Sequence, residues 1–170
     1  DAAYAGLLTG TAGNSSINKV SVDGSISQTG LNGVSIGGLV GLTIGSTNVA
    51  ISTSSAETNI TVSNEGSINV GGLIGASFMT SSGSLQMQDA YYKGTINSET
   101  LTDSTGINSG GLIGFATSNL QIDNSYAAGT INDTTVSFPS TTRNEGGLVG
   151  IMISESFTTI TQINDWITDS

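Results

Sequence analysis

The chain has no cysteine, no histidine, one proline and only three basic residues among its 170. Without cysteine, neither disulfides nor thiolate metal sites hold the fold. Without histidine, the commonest general base and the commonest zinc ligand are both missing. Lys19, Lys93 and Arg143 face 13 acids, which gives a net charge of −10. Such a surface repels phosphate backbones and anionic membrane leaflets, so no nucleic-acid partner is expected. No apolar run approaches the ~18–20 residues that cross a bilayer, so no membrane insertion is expected either. No cleavable leader is visible, and a secreted precursor is expected to have lost one before Asp1. Charged residues make up 9% of the chain, well below the roughly one quarter of an ordinary globular domain.

Glycine, serine, threonine and asparagine fill that gap, interleaved with Val, Ile and Leu along the whole length. The mixture favours strands and turns over helices, and the recurring aliphatics separate it from a disordered composition. One pentapeptide then dominates the reading. Gly37-Gly38-Leu39-Val40-Gly41 returns as Gly71-Gly72-Leu73-Ile74-Gly75, Gly110-Gly111-Leu112-Ile113-Gly114 and Gly146-Gly147-Leu148-Val149-Gly150, at spacings of 34, 39 and 36 residues. A degenerate copy, Gly6-Leu7-Leu8-Thr9-Gly10, precedes the first by 31 residues.

A second block repeats in phase with the first. It reads Gly24-Ser25-Ile26, Gly66-Ser67-Ile68, Gly94-Thr95-Ile96 and Gly129-Thr130-Ile131. Apolar residues alternate around the pentapeptides, as in Val34, Ile36, Val40, Leu42 and Ile44, or Ile68, Val70, Ile74, Ala76 and Phe78. Period two marks strands with one buried face. The pentapeptide leucine falls on the other face, so either that face is covered or a bulge turns the leucine inward. Glycine repeated in phase fits a coil that bends at the same place in every turn, where neighbouring backbones pass closely.

These features predict an all-β fold, a parallel β-helix or β-solenoid of about four to five rungs. The expected organisation is a single repeat domain over residues 1–170. It has a degenerate N-terminal rung over 1–14, regular rungs over 15–153 and a C-terminal cap over 154–170. Ile160, Ile163, Trp166 and Ile167 supply the cap, with a short helix expected from Thr161 to Thr168. Variable spacing between the blocks predicts protruding loops at Asn97–Asn108 and Asn132–Asn144, the second holding Pro139.

The Gly-Gly-Leu-(Val/Ile)-Gly string, with Tyr126-Ala127-Ala128-Gly129-Thr130-Ile131 before it, resembles the GLUG repeat of bacterial adhesins and other large secreted or surface proteins. The resemblance covers about Ser15 to Ile153. It implies an extracellular or cell-surface solenoid module with structural, adhesive or spacer roles, and it carries over no catalytic residue. Leu7 in place of the second glycine, and the lack of tyrosine in the first two Gly-Ser-Ile blocks, depart from the pattern.

Chemistry-bearing residues are sparse. Hydroxyls have no histidine to activate them, which leaves only a Ser-Lys dyad through Lys19 or Lys93. A paired-carboxylate hydrolase would need a platform, and Arg143, Tyr91, Tyr92, Tyr126 and Trp166 lie scattered along the sequence. Gln88-Asp89 and Asp123-Asn124 recur 35 residues apart, which makes Asp89, Asp123 and Asn124 weak calcium candidates. A turn or side-chain ladder is the preferred reading of the same residues. Asn14, Asn59 and Asn132 head glycosylation sequons that matter only in a eukaryotic secretory setting. No other cofactor is expected. The preferred function is a non-enzymatic structural module that associates with copies or neighbouring subunits. The alternatives are an adhesin that grips a host protein or glycan through its loops, and a polysaccharide-acting enzyme.

Overall fold

The computed structural model describes residues 3–30, 32–101, 106–117, 119–135 and 142–153. The expected cap and the Thr161–Thr168 helix lie outside them. The first turn of the coil holds β1 (Ala3–Ala5), β2 (Thr9–Ala12), β3 (Ser16–Asn18) and β4 (Ser21–Gly30). The second holds β5 (Val34–Gly37), β6 (Val40–Gly45), β7 (Val49–Ser52) and β8 (Ser55–Asn64). The third holds β9 (Ile68–Gly71), β10 (Ile74–Met79), β11 (Leu85–Gln88) and β12 (Tyr91–Thr100). The fourth holds β13 (Ile107–Gly110), β14 (Ile113–Thr117), β15 (Leu120–Asp123) and β16 (Tyr126–Thr135), and β17 (Arg143–Gly146) and β18 (Val149–Ile153) begin another.

Each strand pairs in parallel with its equivalents one turn away, so the chain is a β-solenoid with four sheets running along its length. The first sheet runs β1-β5-β9-β13-β17, the second β2-β6-β10-β14-β18, the third β3-β7-β11-β15 and the fourth β4-β8-β12-β16. The register superposes the repeats residue on residue, for example Gly37 on Gly71 and Gly110 on Gly146. Any cut of such a periodic object is a choice, but the first complete turn runs from β1 through β4. The degenerate copy at Gly6–Gly10 is therefore the first corner of that turn, and the separate rung expected over 1–14 is only its first half.

The pentapeptide is the corner between the first and second sheets, and its three glycines meet different obstacles. A Cβ on Gly71 would overlap the carbonyl oxygen of Ile74, three residues on. One on Gly72 would overlap both the Gly111 carbonyl oxygen of the next turn and the Tyr92 ring of the fourth sheet, and one on Gly75 the backbone of Ile36 in the turn before. The corner leucine is neither exposed nor on a covered outer face. Leu39, Leu73 and Leu112 point into the core and are fully buried.

The core continues with Ile36, Ile68, Ile74, Ile51, Leu85, Met87, Ile60 and Ile96. At about 25 cal/mol per Å² removed from water, each such side chain contributes roughly 1.5–3 kcal/mol. One sequence expectation fails beyond the corner. Ile44 and Phe78 are 49% and 40% exposed, although alternation places them inside. The reason is a change of phase within the strand. Thr43 is fully buried, and its column holds the core residues Ala12 and Ala116. The next residue therefore faces out, where Phe78 packs against Phe115 with ring centroids 5.1 Å apart.

The expected loops also shrink. Asn97–Thr100 and Asn132–Thr135 belong to the fourth sheet, while Asn108, Arg143 and Asn144 belong to the first. Asn144 donates to Asn108 and Asn108 to Asn69, each at 2.8 Å, so these asparagines form a ladder and not a loop. Only 101–106 and 136–142 separate strands there, and 102–105 and 136–141 lie outside the described residues.

Candidate functional site

The corner before the fourth sheet collects the residues read as calcium candidates. Lys19, Thr53, Asp89 and Asn124 all adopt positive φ, at 56°, 48°, 51° and 44°, so every turn bends there in the left-handed region without glycine. Asparagine and aspartate tolerate that conformation best among non-glycine residues. Asp123 stands opposite Gln88 in the third sheet, and Asn124 Nδ2 donates to Asp89 Oδ1. Among the described residues no group of three or more His, Cys, Asp or Glu side chains assembles. The arrangement is a side-chain ladder along the corner. Serine hydroxyls complete it: Val20 N donates to Ser54 Oγ at 3.2 Å, and Ala90 N to Ser125 Oγ at 3.1 Å.

The outer face of the fourth sheet carries regular rows of polar residues. Its outward rows run across the turns as Ser21, Ser55, Tyr91, Tyr126; then Asp23, Glu57, Lys93, Ala128; then Ser25, Asn59, Thr95, Thr130. Tyr91 and Tyr126, 35 residues apart in sequence, stack with ring centroids 5.2 Å apart and planes 6° from parallel. That separation is close to the strand spacing, so the ring faces look along the coil axis. Tyr91 OH donates to Glu57 Oε1 at 3.4 Å. Two sequon residues share this face: Asn59 and Asn132 are both exposed, as is Asn14, which stands at a separate left-handed bend.

The ladder between β8 and β12 opens on this face. Pairing runs from Tyr91↔Ser55 to Lys93↔Glu57, lapses at the next two residues and resumes at Ile96↔Ile60. Gly94 has φ 151°, a value side chains rarely adopt, and a Cβ there would overlap the Thr58 carbonyl. The groups freed by the gap find side-chain partners. Thr95 N donates to Asn59 Oδ1 at 3.1 Å, and Tyr92 OH donates to the Thr58 carbonyl at 2.9 Å. Burial pushes the Tyr92 phenol up to about 12, so it remains a donor at any physiological pH. The result is a cleft of about 210 Å³ bordered by Asp23, Gly24, Glu57, Asn59, Lys93 and Gly94.

A second polar feature sits inside the coil, near its C-terminal end. In the columns that hold Val62 and Val70, the next turns place Ser98, Asp133, Ser109 and Glu145. Ser109 donates to Asp133 Oδ1 at 2.8 Å, Ser98 donates to the same oxygen, and Arg143 Nη1 donates to the Asp133 carbonyl at 2.8 Å. Asp133 Oδ2 is buried with no hydrogen-bond partner. Burial is the main cause that raises the Asp133 carboxyl above the ordinary aspartate range, and nearby Glu145 adds to it.

The residues named from sequence thus separate. Tyr91 and Tyr126 come together, Tyr92 is buried beneath them as a structural donor, and Arg143 lies at the end of the coil. Lys19 and Lys93 occupy different columns, as their repeat positions implied. The cleft itself had no motif. Its one sequence signal is the Gly94 that shares a repeat block with the tyrosines. No family model, no curated protein and no solved structure matches this chain.

Proposed function

We propose that the chain is a non-enzymatic structural module of the extracellular space or cell surface, a stack of turns that continues by pairing with a neighbouring copy or subunit. The observation that carries this reading is the lower end of the coil. Strands β1, β2, β3 and β4 are the terminal strands of all four sheets, each with one edge unpaired among the described residues. Beside them Tyr4, Leu7 and Leu8 are exposed, and Leu8 stands in the column that Leu39 and Leu73 fill as buried core residues. An unpaired edge backed by an open apolar core is a template for another strand layer. The repeating register supplies the matching geometry, because one end of such a coil is complementary to the other.

The reading also fits the GLUG-like repeat and the low, acidic charge of the chain. Light scattering after size exclusion, with negative-stain microscopy, tests it on the 170-residue chain. Concentration-dependent rods or filaments are expected, and a charge on the open end, as in Leu8→Lys, is expected to return the protein to monomers. A wild-type chain that stays monomeric at high concentration, with its strand signal intact, would refute the proposal.

A further inference from the structure

The ladder in the fourth sheet opens over two residues between β8 and β12, whereas the second sheet skips single pairs at its corner glycines. The opening adjoins the stacked tyrosines of the fourth sheet, Tyr91 and Tyr126. The geometry points to a binding site for a neutral polysaccharide, held across the cleft between β8 and β12 with one sugar ring against the tyrosine stack.

Shape supports this first. Ser21 and Ser55 precede Tyr91 in the same row, where Ser55 is buried and donates to Ser21 Oγ at 3.0 Å, so the ring stands as a wall above a small side chain at the exposed Ser21. Tyr126 is 40% exposed and forms the far side of that wall, with no described strand beyond it. A flat aromatic face at the edge of a polar cleft suits the apolar face of a pyranose ring, while the phenol keeps a polar tip in reach of its hydroxyls. Outward neighbours along a strand lie roughly 7 Å apart, so Tyr91, Lys93 and Thr95 together span about 13 Å, the length of about three sugars.

Chemistry supports it next. Carboxylates of Asp23 and Glu57, the Asn59 amide and the Lys93 ammonium border the cleft, which provides acceptors and donors for vicinal hydroxyls. Charge then selects within the class. The cleft carries two acids against one lysine, and the chain carries −10 overall, so polyanionic glycans are repelled and a neutral polymer is favoured. The site uses none of Tyr4, Leu7 and Leu8 at the open end of the coil, although Asp23 and Gly24 belong to the edge strand β4.

Native affinity electrophoresis tests it on the whole chain. The acidic protein runs through gels cast with laminarin, xyloglucan, galactomannan or dextran, and with alginate as the anionic control. At least one neutral polymer is expected to retard it, and alginate is not. Tyr126→Ala and Tyr91→Ala are expected to weaken that retardation by about tenfold or more, and Glu57→Gln by a smaller factor. Gln86→Ala, on the outer face of the third sheet, is expected to leave it unchanged, and circular dichroism confirms that each variant keeps its strands. Failure of all four neutral polymers to retard the wild type, retention by alginate alone, or full binding by folded Tyr91→Ala and Tyr126→Ala variants would overturn the assignment.

Discussion

Gly71, Gly72 and Gly75 occupy one pentapeptide, yet each gives way to different neighbours: its own turn, the tyrosine of the fourth sheet with the next turn, and the backbone of the previous turn. This makes single-residue predictions sharp. Gly72→Ala drives a methyl into the Tyr92 ring, which is fixed by its hydrogen bond to Thr58, so neither partner relaxes cheaply. Overpacking of this kind costs about 1–3 kcal/mol or more, and a clear fall in the urea midpoint is expected. Gly147→Ala at the equivalent position of the last described corner meets nothing within 4 Å among the described residues, so its midpoint is expected to stay within about 0.5 kcal/mol of wild type. A matched loss in both variants would mean that glycine is needed there for backbone freedom and not for space. The need for glycine was legible in the sequence because the string recurs in phase. Which neighbour each glycine faces was not, since that depends on how sharply the corner closes.

Among the elements, the fourth sheet shows where pattern reading stopped. Variable spacing between the repeat blocks places Asn97 and Asn132 in protruding loops. In a stacked coil the same residues pair with themselves across turns, as Asn132 Nδ2 does with Asn97 Oδ1 at 2.9 Å, and they become outer-face positions of ten-residue strands. The Tyr91–Tyr126 stack was available from their 35-residue offset, which falls within the 34 to 39 residues that separate the pentapeptides. The gap between β8 and β12 left no periodic trace: Gly24 shares the φ of Gly94, yet β4 pairs with Thr58 and Asn59 without a break. Asp133 is the element-scale liability. Its carboxyl lies in a column that is apolar at Val62, two turns back along the coil, and its raised pKa means that the folded chain keeps this proton to higher pH than the unfolded chain. Stability from this group is therefore greatest below the unfolded aspartate value of 3.8 and falls as pH rises above it through the folded value. Asp133→Asn keeps an oxygen for Ser98 and Ser109 while removing the buried charge. It is expected to raise the melting temperature at pH 7 and to flatten the decline above about pH 4, as differential scanning calorimetry across that range would reveal. A variant that melts lower at pH 7 with an unchanged slope would show that the charge is compensated.

At the scale of the molecule, stability in such a coil is close to a sum over turns and the interfaces between them, because each turn touches only its neighbours. Residues 107–142 make one complete turn, β13 through β16 with the connection to β17. Removing them joins Gly106 to Arg143, so that β17 and β18 meet β9 and β10 in the register that β13 and β14 held. The shortened chain is expected to keep its strand signal and to unfold with a urea m value lower by roughly a quarter, in proportion to the surface removed. Excising only 107–119, the first- and second-sheet half of that turn, shifts each later strand onto the wrong sheet. It puts β15 and β16 where first- and second-sheet strands belong and β17 and β18 where third- and fourth-sheet strands belong, and the Gly-Gly-Leu corner at 110–114 is lost with no equivalent to replace it. Collapse of the strand signal is expected there, although fewer residues are removed. The contrast between a tolerated long deletion and a fatal short one is specific to a coil that climbs one storey per repeat. A sheet built by hairpins, in which each strand depends on its neighbours in sequence, would show the opposite order.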